Sequence, residues 1–136
     1  MLYKRQLHQV YNDSKQFVDM PLLSRITNSS YKEWGSQINA MWPSLARQMA
    51  SKGGLTPERR SLLPRSHPTI IPGGRFRESY YWDSYWIIKG LLASDVIITA
   101  KGLALNLLDD VLNFGFIPNG GRIYYVLESQ SAAFIS

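Results

Sequence analysis

The chain has no cysteine. Disulfides and thiolate metal sites are therefore excluded, and cysteine usage says nothing about compartment. No stretch approaches the roughly 18 consecutive apolar residues of a membrane span. The first residues, MLYKRQLHQVY, are polar and amphipathic and lack the apolar block of a secretory leader. The two histidines, His8 and His67, lie far apart and show no metal-ligand spacing, so neither a metal nor a cofactor is expected. Neither standard Gly-rich phosphate-binding spacing occurs. No nucleophile elbow surrounds Ser61, Ser66 or any other serine. Asp109-Asp110 reads as a pair on a helix surface rather than a metal site.

Acidic residues are in the minority: 10 Asp and Glu stand against 15 Lys and Arg, a formal charge of +5. Part of the excess comes from Arg59, Arg60, Arg65, Arg75 and Arg77. A basic cluster near Trp and Tyr is one way to hold nucleic acid, with an affinity that falls steeply with salt. Glu58 and Glu78 flank the cluster and no nucleic-acid module's motif is present. The favoured reading is a solvated Pro-rich loop, with no nucleic-acid partner. Asn12-Asp13-Ser14 and Asn28-Ser29-Ser30 fit the glycosylation pattern, which matters only in a secreted chain.

At 136 residues, 45% of them hydrophobic, the chain has the length of one domain and enough apolar surface for a sizeable core. Residues 2–11 read as a short helix. Ser29 or Ser30 caps a helix running towards Lys52. Its apolar stripe of Ile38, Met41, Trp42, Leu45 and Met49 falls within about 100°. Pro43 should kink this helix or begin a second one. Residues 53–74, with Pro57, Pro64, Pro68 and Pro72, form a long connection. Leu62-Leu63 and Ile70-Ile71 should pack it down. Asp83 or Ser84 opens a helix through about Ala93. Another runs from about Val96 to Phe114, its buried face being Ala100, Ala104, Leu107, Val111 and Phe114. Gly115 stops it in a left-handed conformation. Pro118, Gly120 and Gly121 make a tight loop, and Tyr124 to Leu127 suit a short strand. The fold class is mainly α, with long Gly/Pro-rich loops.

One run concentrates the chemistry. Residues 72–85, PGGRFRESYYWDSY, hold two Gly, two Arg, three Tyr, a Trp, an Asp and a Glu in fourteen positions. Aromatic rings stack on the apolar faces of pyranoses. Arg offers a rigid donor fork to hydroxyls and Asp offers acceptors only. The plainer alternatives are core packing for Trp82, helix capping for Asp83 and pairing with Glu78 for Arg75.

This run resembles the signature of trehalases, glycosidases that split α,α-trehalose into two glucoses, although Ser79 stands where that family usually carries a larger residue. DSKQFVDM at 13–20 and GFIPNGGRIYY at 115–125 resemble two further family segments in the same order. The resemblance implies that residues 1–136 are part of a trehalase-like catalytic domain, the first helices of an incomplete (α/α)₆ barrel. It implies trehalose as the sugar and Arg75, Trp82, Asp83, Asn119 and Gln130 as residues that contact it. It also implies an inverting reaction whose general acid and general base are both expected downstream of Ser136, so no catalytic residue is assigned here. Arg122 and Tyr124-Tyr125 follow in the family's order as supports. The chain then departs from the family: Glu128 replaces a sugar-binding arginine, and two prolines are missing after Gln130. That departure keeps an alternative open, a degenerate, non-catalytic sugar-binding or interaction module.

Overall fold

The computed structural model describes residues 7–8, 21–49 and 60–127. In chain order they form β1 (Leu7–His8), α1 (Pro21–Ser24), α2 (Ser29–Asn39), α3 (Trp42–Leu45), β2 (Ala46–Met49), β3 (Thr69–Ile70), α4 (Tyr81–Ala93), α5 (Ile97–Phe114) and α6 (Ile123–Leu127). The described fold is mainly helical, with one small antiparallel sheet in the order β1-β2-β3. Among the described residues, no helix is long and apolar enough to cross a membrane.

Asn28, not Ser29 or Ser30, caps α2: its side chain accepts from the Tyr31 amide at 3.1 Å. The helix expected to reach Lys52 stops at Asn39. Pro43 sits in the first turn of α3, where its missing amide costs no hydrogen bond. The chain then turns extended. Ala46 pairs with Ile70 and Arg47 with Thr69, and Ala46 is fully buried. Long-range pairing overrides the helical pattern here, and Ile38 and Met41 are left exposed. At the other edge, Leu7 pairs with Met49 and His8 with Gln48, so these two residues are strand rather than helix. The other residues of the expected 2–11 helix, the 13–20 segment and 53–59 lie outside the described residues.

The core joins this sheet to an α4–α5 hairpin. Ala46, Ile70, Leu91, Val96, Ala100 and Leu103 cluster, with Trp42, Leu45, Ile87 and Ile88 packed against them. Leu62-Leu63 and Ile70-Ile71 are buried, so the long connection does pack down. The hairpin is closed by a Schellman motif: the Val96 amide donates to Leu91 O at 2.8 Å and the Asp95 amide to Leu92 O at 3.1 Å. Asp95 takes the left-handed position (φ 60°) that glycine usually fills, and Gly115 ends α5 with φ 80° as expected.

The buried face of α5 is rotated from the expected stripe. Thr99, Ala100, Gly102, Leu103, Asn106 and Asp110 are buried, whereas Ala104 and Val111 are exposed. The reason is the 60–72 connection, which lies on polar side chains. The Asn106 side chain accepts from the His67 amide and donates back to His67 O, both at 3.0 Å. Arg65 donates to Asp110 Oδ1 at 2.6 Å, with side-chain exposures of 8% and 4%. Asp109-Asp110 is therefore not a surface pair. Burial pushes the Asp110 carboxyl above its ordinary range, against the pull of Arg65.

Gly90 shows how tightly α3 meets α4. A Cβ there would lie 2.9 Å from Cζ2 and 3.1 Å from Cη2 of Trp42. The indole cannot swing away freely, because its Nε1 donates to Ser94 Oγ at 3.1 Å. Alanine would gain about 1 kcal/mol in helix propensity, but overpacking costs about 1–3 kcal/mol. The clash wins: Gly90→Ala lowers stability by about 1 kcal/mol, read as an earlier urea midpoint at unchanged slope.

A candidate sugar-binding wall

Three separated stretches of backbone meet at the N-terminus of α4. The Leu63 amide donates to Gly121 O at 3.0 Å and the Gly121 amide to Ser79 O at 2.8 Å. The Tyr81 amide donates to Asn119 O and the Ile123 amide to Ser61 O, both at 3.0 Å. Antiparallel bridges join Leu62 to Arg122 and Tyr80 to Gly120. The 119–123 segment thus lies between 61–63 and 79–81. Gly120 is required by close approach: a Cβ there would run into the Tyr125 ring.

Charged groups fasten the same junction. Glu78 is buried; it accepts from Arg122 Nε through one oxygen and from the Tyr80 hydroxyl at 3.0 Å through the other. Arg122 Nη1 also donates to Ser61 Oγ. Burial, then the bond to Glu78, pushes the Tyr80 hydroxyl well above its ordinary range, so it remains a proton donor. Arg75 does not pair with Glu78, whose oxygens are taken. It stands in the turn made by Gly73 (φ 104°) and Gly74 (φ 58°), with its guanidinium 4.9 Å from the Phe76 ring centre. Phe76 packs edge-on against Tyr80 at 5.7 Å, which ties the Arg75 turn to the junction.

Trp82 and Asp83 sit in the first turn of α4. Trp82 is 58% exposed and meets Trp86 edge-on at 6.1 Å. It is therefore not a core residue. Asp83 is half-buried and is the third residue of the helix; Tyr80 occupies the cap, so Asp83 does not cap the helix and does not open it. A carboxylate there is favoured by the positive end of the helix dipole. Asn119 is exposed, and its carbonyl is held by Tyr81. Gln130 and Glu128 lie outside the described residues.

The Tyr81–Asn119 backbone bond thus sets Asn119 against the residue that precedes Trp82 and Asp83, and Arg75 is linked to the same helix start through Phe76 and Tyr80. A cleft of about 460 Å³ opens beside Trp82, its described lining being Tyr81, Trp82, Tyr85, Trp86, Ile88 and Leu107. Tyr85 and Trp86 were not among the expected site residues. Their four-residue spacing from Tyr81 and Trp82 is the signal that places all four rings on one side of a helix. Lys89 Nζ lies 5.3 Å from the Tyr85 ring centre and 5.6 Å from that of Trp86. The expected solvated arginine cluster also needs correction: Arg65 is buried against Asp110, and Arg59 lies outside the described residues.

The trehalase family profile matches residues 3–135. The chain belongs to the trehalase family. It is 49% identical to the trehalase of Apis mellifera over 108 residues, which cover 79% of this chain and 17% of that protein. It is 47% identical to the trehalase of Bombyx mori over 110 residues, 81% of this chain and 19% of that protein. It is 44% identical to the trehalase of Homo sapiens over 120 residues, 88% of this chain and 20% of that protein. The chain therefore spans about a fifth of the length of these trehalases.

Proposed function

We propose that residues 1–136 are part of a trehalase catalytic domain and supply sugar-binding contacts for α,α-trehalose. Arg75, Trp82, Asp83, Asn119 and Gln130 carry those contacts. One observation supports this reading above the rest: the Tyr81–Asn119 backbone bond puts two motifs of the sequence, 72–85 and 115–125, into one wall. Trp82 presents an open indole face for a pyranose to stack on. Asp83 accepts from hydroxyls, while Arg75 and the Asn119 amide donate to them. Of the four described contact residues, Trp82 alone lines the cleft beside it, which has the volume of a small-ligand site; Arg75, Asp83 and Asn119 would meet the sugar outside that cleft.

In this reading the α4–α5 pair is one unit of an (α/α)₆ barrel. The exposed Ile97, Ile98, Leu108 and Leu112 of α5 form a face that further helices would cover. The reaction is hydrolysis with inversion. It needs one carboxyl to protonate the leaving oxygen and another to activate water, about 6.5–9.5 Å apart. None of the described carboxylates lines the cleft. The acid and base belong to parts of a trehalase that this chain does not span.

The purified chain should bind trehalose in preference to maltose by titration calorimetry and release glucose no faster than Asp83→Ala. Steady turnover above that control would contradict the division of labour. Equal heats for both sugars would favour a degenerate module, the reading that Glu128 at a family arginine position supports.

A further inference from the structure

We propose that the buried Glu78–Arg122 pair is a positioning device for sugar recognition, and that its partner Ser61 completes it. The inference rests on the sugar-wall reading above. Neither Glu78 nor Arg122 lines the cleft as described, and both are largely withdrawn from solvent, with side-chain exposures of 6% and 13%. Their atoms instead close the junction that sets Asn119 beside Trp82 and Asp83.

The geometry argues for control of register rather than simple adhesion. Glu78 precedes the 79–81 edge and Arg122 belongs to the central segment. Ser61 begins the opposite edge, where its own carbonyl accepts from Ile123. Arg122 therefore reaches both flanking edges at once, through Nε to Glu78 and Nη1 to Ser61. Only a planar fork with separate donors does this; a lysine ammonium is a single point that cannot reproduce both directions. Glu78 uses its two oxygens on different elements, Arg122 of the loop and Tyr80 at the helix cap. The pair thus ties the loop bearing Asn119 to the residue that starts α4. If it slips, the Tyr81–Asn119 bond is lost, and the two halves of the wall no longer face one sugar. Small misplacements of positioning groups are amplified in recognition because directional bonds tolerate little change in angle.

The molecule provides its own control. Arg65–Asp110 is a second buried ion pair that fastens the 60–72 connection to α5; Arg65 also reaches Ser79 Oγ at 3.4 Å, so the control alters Asp110 and keeps that donor in place. Glu78→Gln and Arg122→Lys should weaken trehalose binding at least tenfold, measured by calorimetry at a temperature where circular dichroism shows each variant folded. Asp110→Asn should lower the melting temperature comparably while holding the trehalose Kd within threefold. Equal losses of affinity in both sets would overturn the proposal and reduce Glu78–Arg122 to a structural brace. Amide hydrogen exchange gives a readout independent of sugar. Glu78→Gln should speed exchange at the Tyr81 and Gly121 amides at least tenfold relative to α5 amides, and Asp110→Asn should not. Unchanged protection at Tyr81 in Glu78→Gln overturns the positioning role even if binding falls. Absence of trehalose binding by the unaltered chain overturns the sugar-wall reading, while exchange still decides whether the pair holds the junction.

Discussion

Arg65→Ala should be among the most destabilising single changes in the chain, lowering stability by about 3–5 kcal/mol at neutral pH. Breaking a buried ion pair from one side leaves the other charge uncompensated in a medium that cannot solvate it. Arg65 and Asp110 fit that case, being 2.6 Å apart and nearly inaccessible. The same substitution removes donors to Asn106 O and Ser79 Oγ. For a domain near this size the loss corresponds to roughly 10–20 °C in melting temperature.

The deficit should depend on pH, with a definite sign. Burial raises the carboxyl of Asp110 in the folded state above its unfolded value of 3.8. The folded protein therefore holds this proton to higher pH than the unfolded chain does, and the group's contribution to stability falls as pH rises above about 4. Without Arg65 the carboxyl is raised further, so Arg65→Ala should recover part of its deficit as the medium is acidified from neutral towards pH 5. Thermal melts of the parent, Arg65→Ala and Asp110→Asn across that range test this. Asp110→Asn should show a flatter profile than the parent.

The second large effect is on recognition. Trp82→Ala should weaken trehalose binding by about 30-fold or more, the scale of an aromatic anchor worth about 2 kcal/mol. It should do so with little change in stability, because the indole is more than half exposed and meets Trp86 only edge-on. Trp34→Ala, at an exposed position on α2 outside the wall, should leave binding unchanged. Calorimetry beside thermal melts separates these outcomes: a shared loss of stability and affinity would show that Trp82 is a packing residue after all.

The sequence was most informative where local rules act alone. The approximate extents of α4 and α5 and the Gly115 stop were legible locally, whereas the start of α4 at Tyr81 and the buried face of α5 were not. The burial of Leu62-Leu63 and Ile70-Ile71 follows from their apolar character. It was least informative where distant partners decide. Ala46–Met49 carries a helical pattern yet pairs with Thr69–Ile70, more than twenty residues away. Ile123–Leu127, rich in β-branched and aromatic residues, is a helix; its Tyr125 amide donates to Arg122 O, a residue held by Glu78 and Ser61. Asp110 looks like a surface acid until Arg65 arrives from 45 positions earlier. At the site, the motif segments could be picked out because they bring unusual residues together. The Glu78–Arg122 tie could not, since it spans 44 positions, and the nearer Arg75 is the obvious partner for Glu78.

The central claim is that trehalose is gripped where α4 begins, against Trp82 and the Asn119 turn. Titrating trehalose into isotopically labelled chain, and following the indole NH of Trp82 with the backbone amides of Asn119 and Gly120, tests it most directly. The account predicts saturable shifts at these three sites, with Trp34 on α2 unmoved. Saturable shifts confined to other parts of the chain, or none at all, would contradict it.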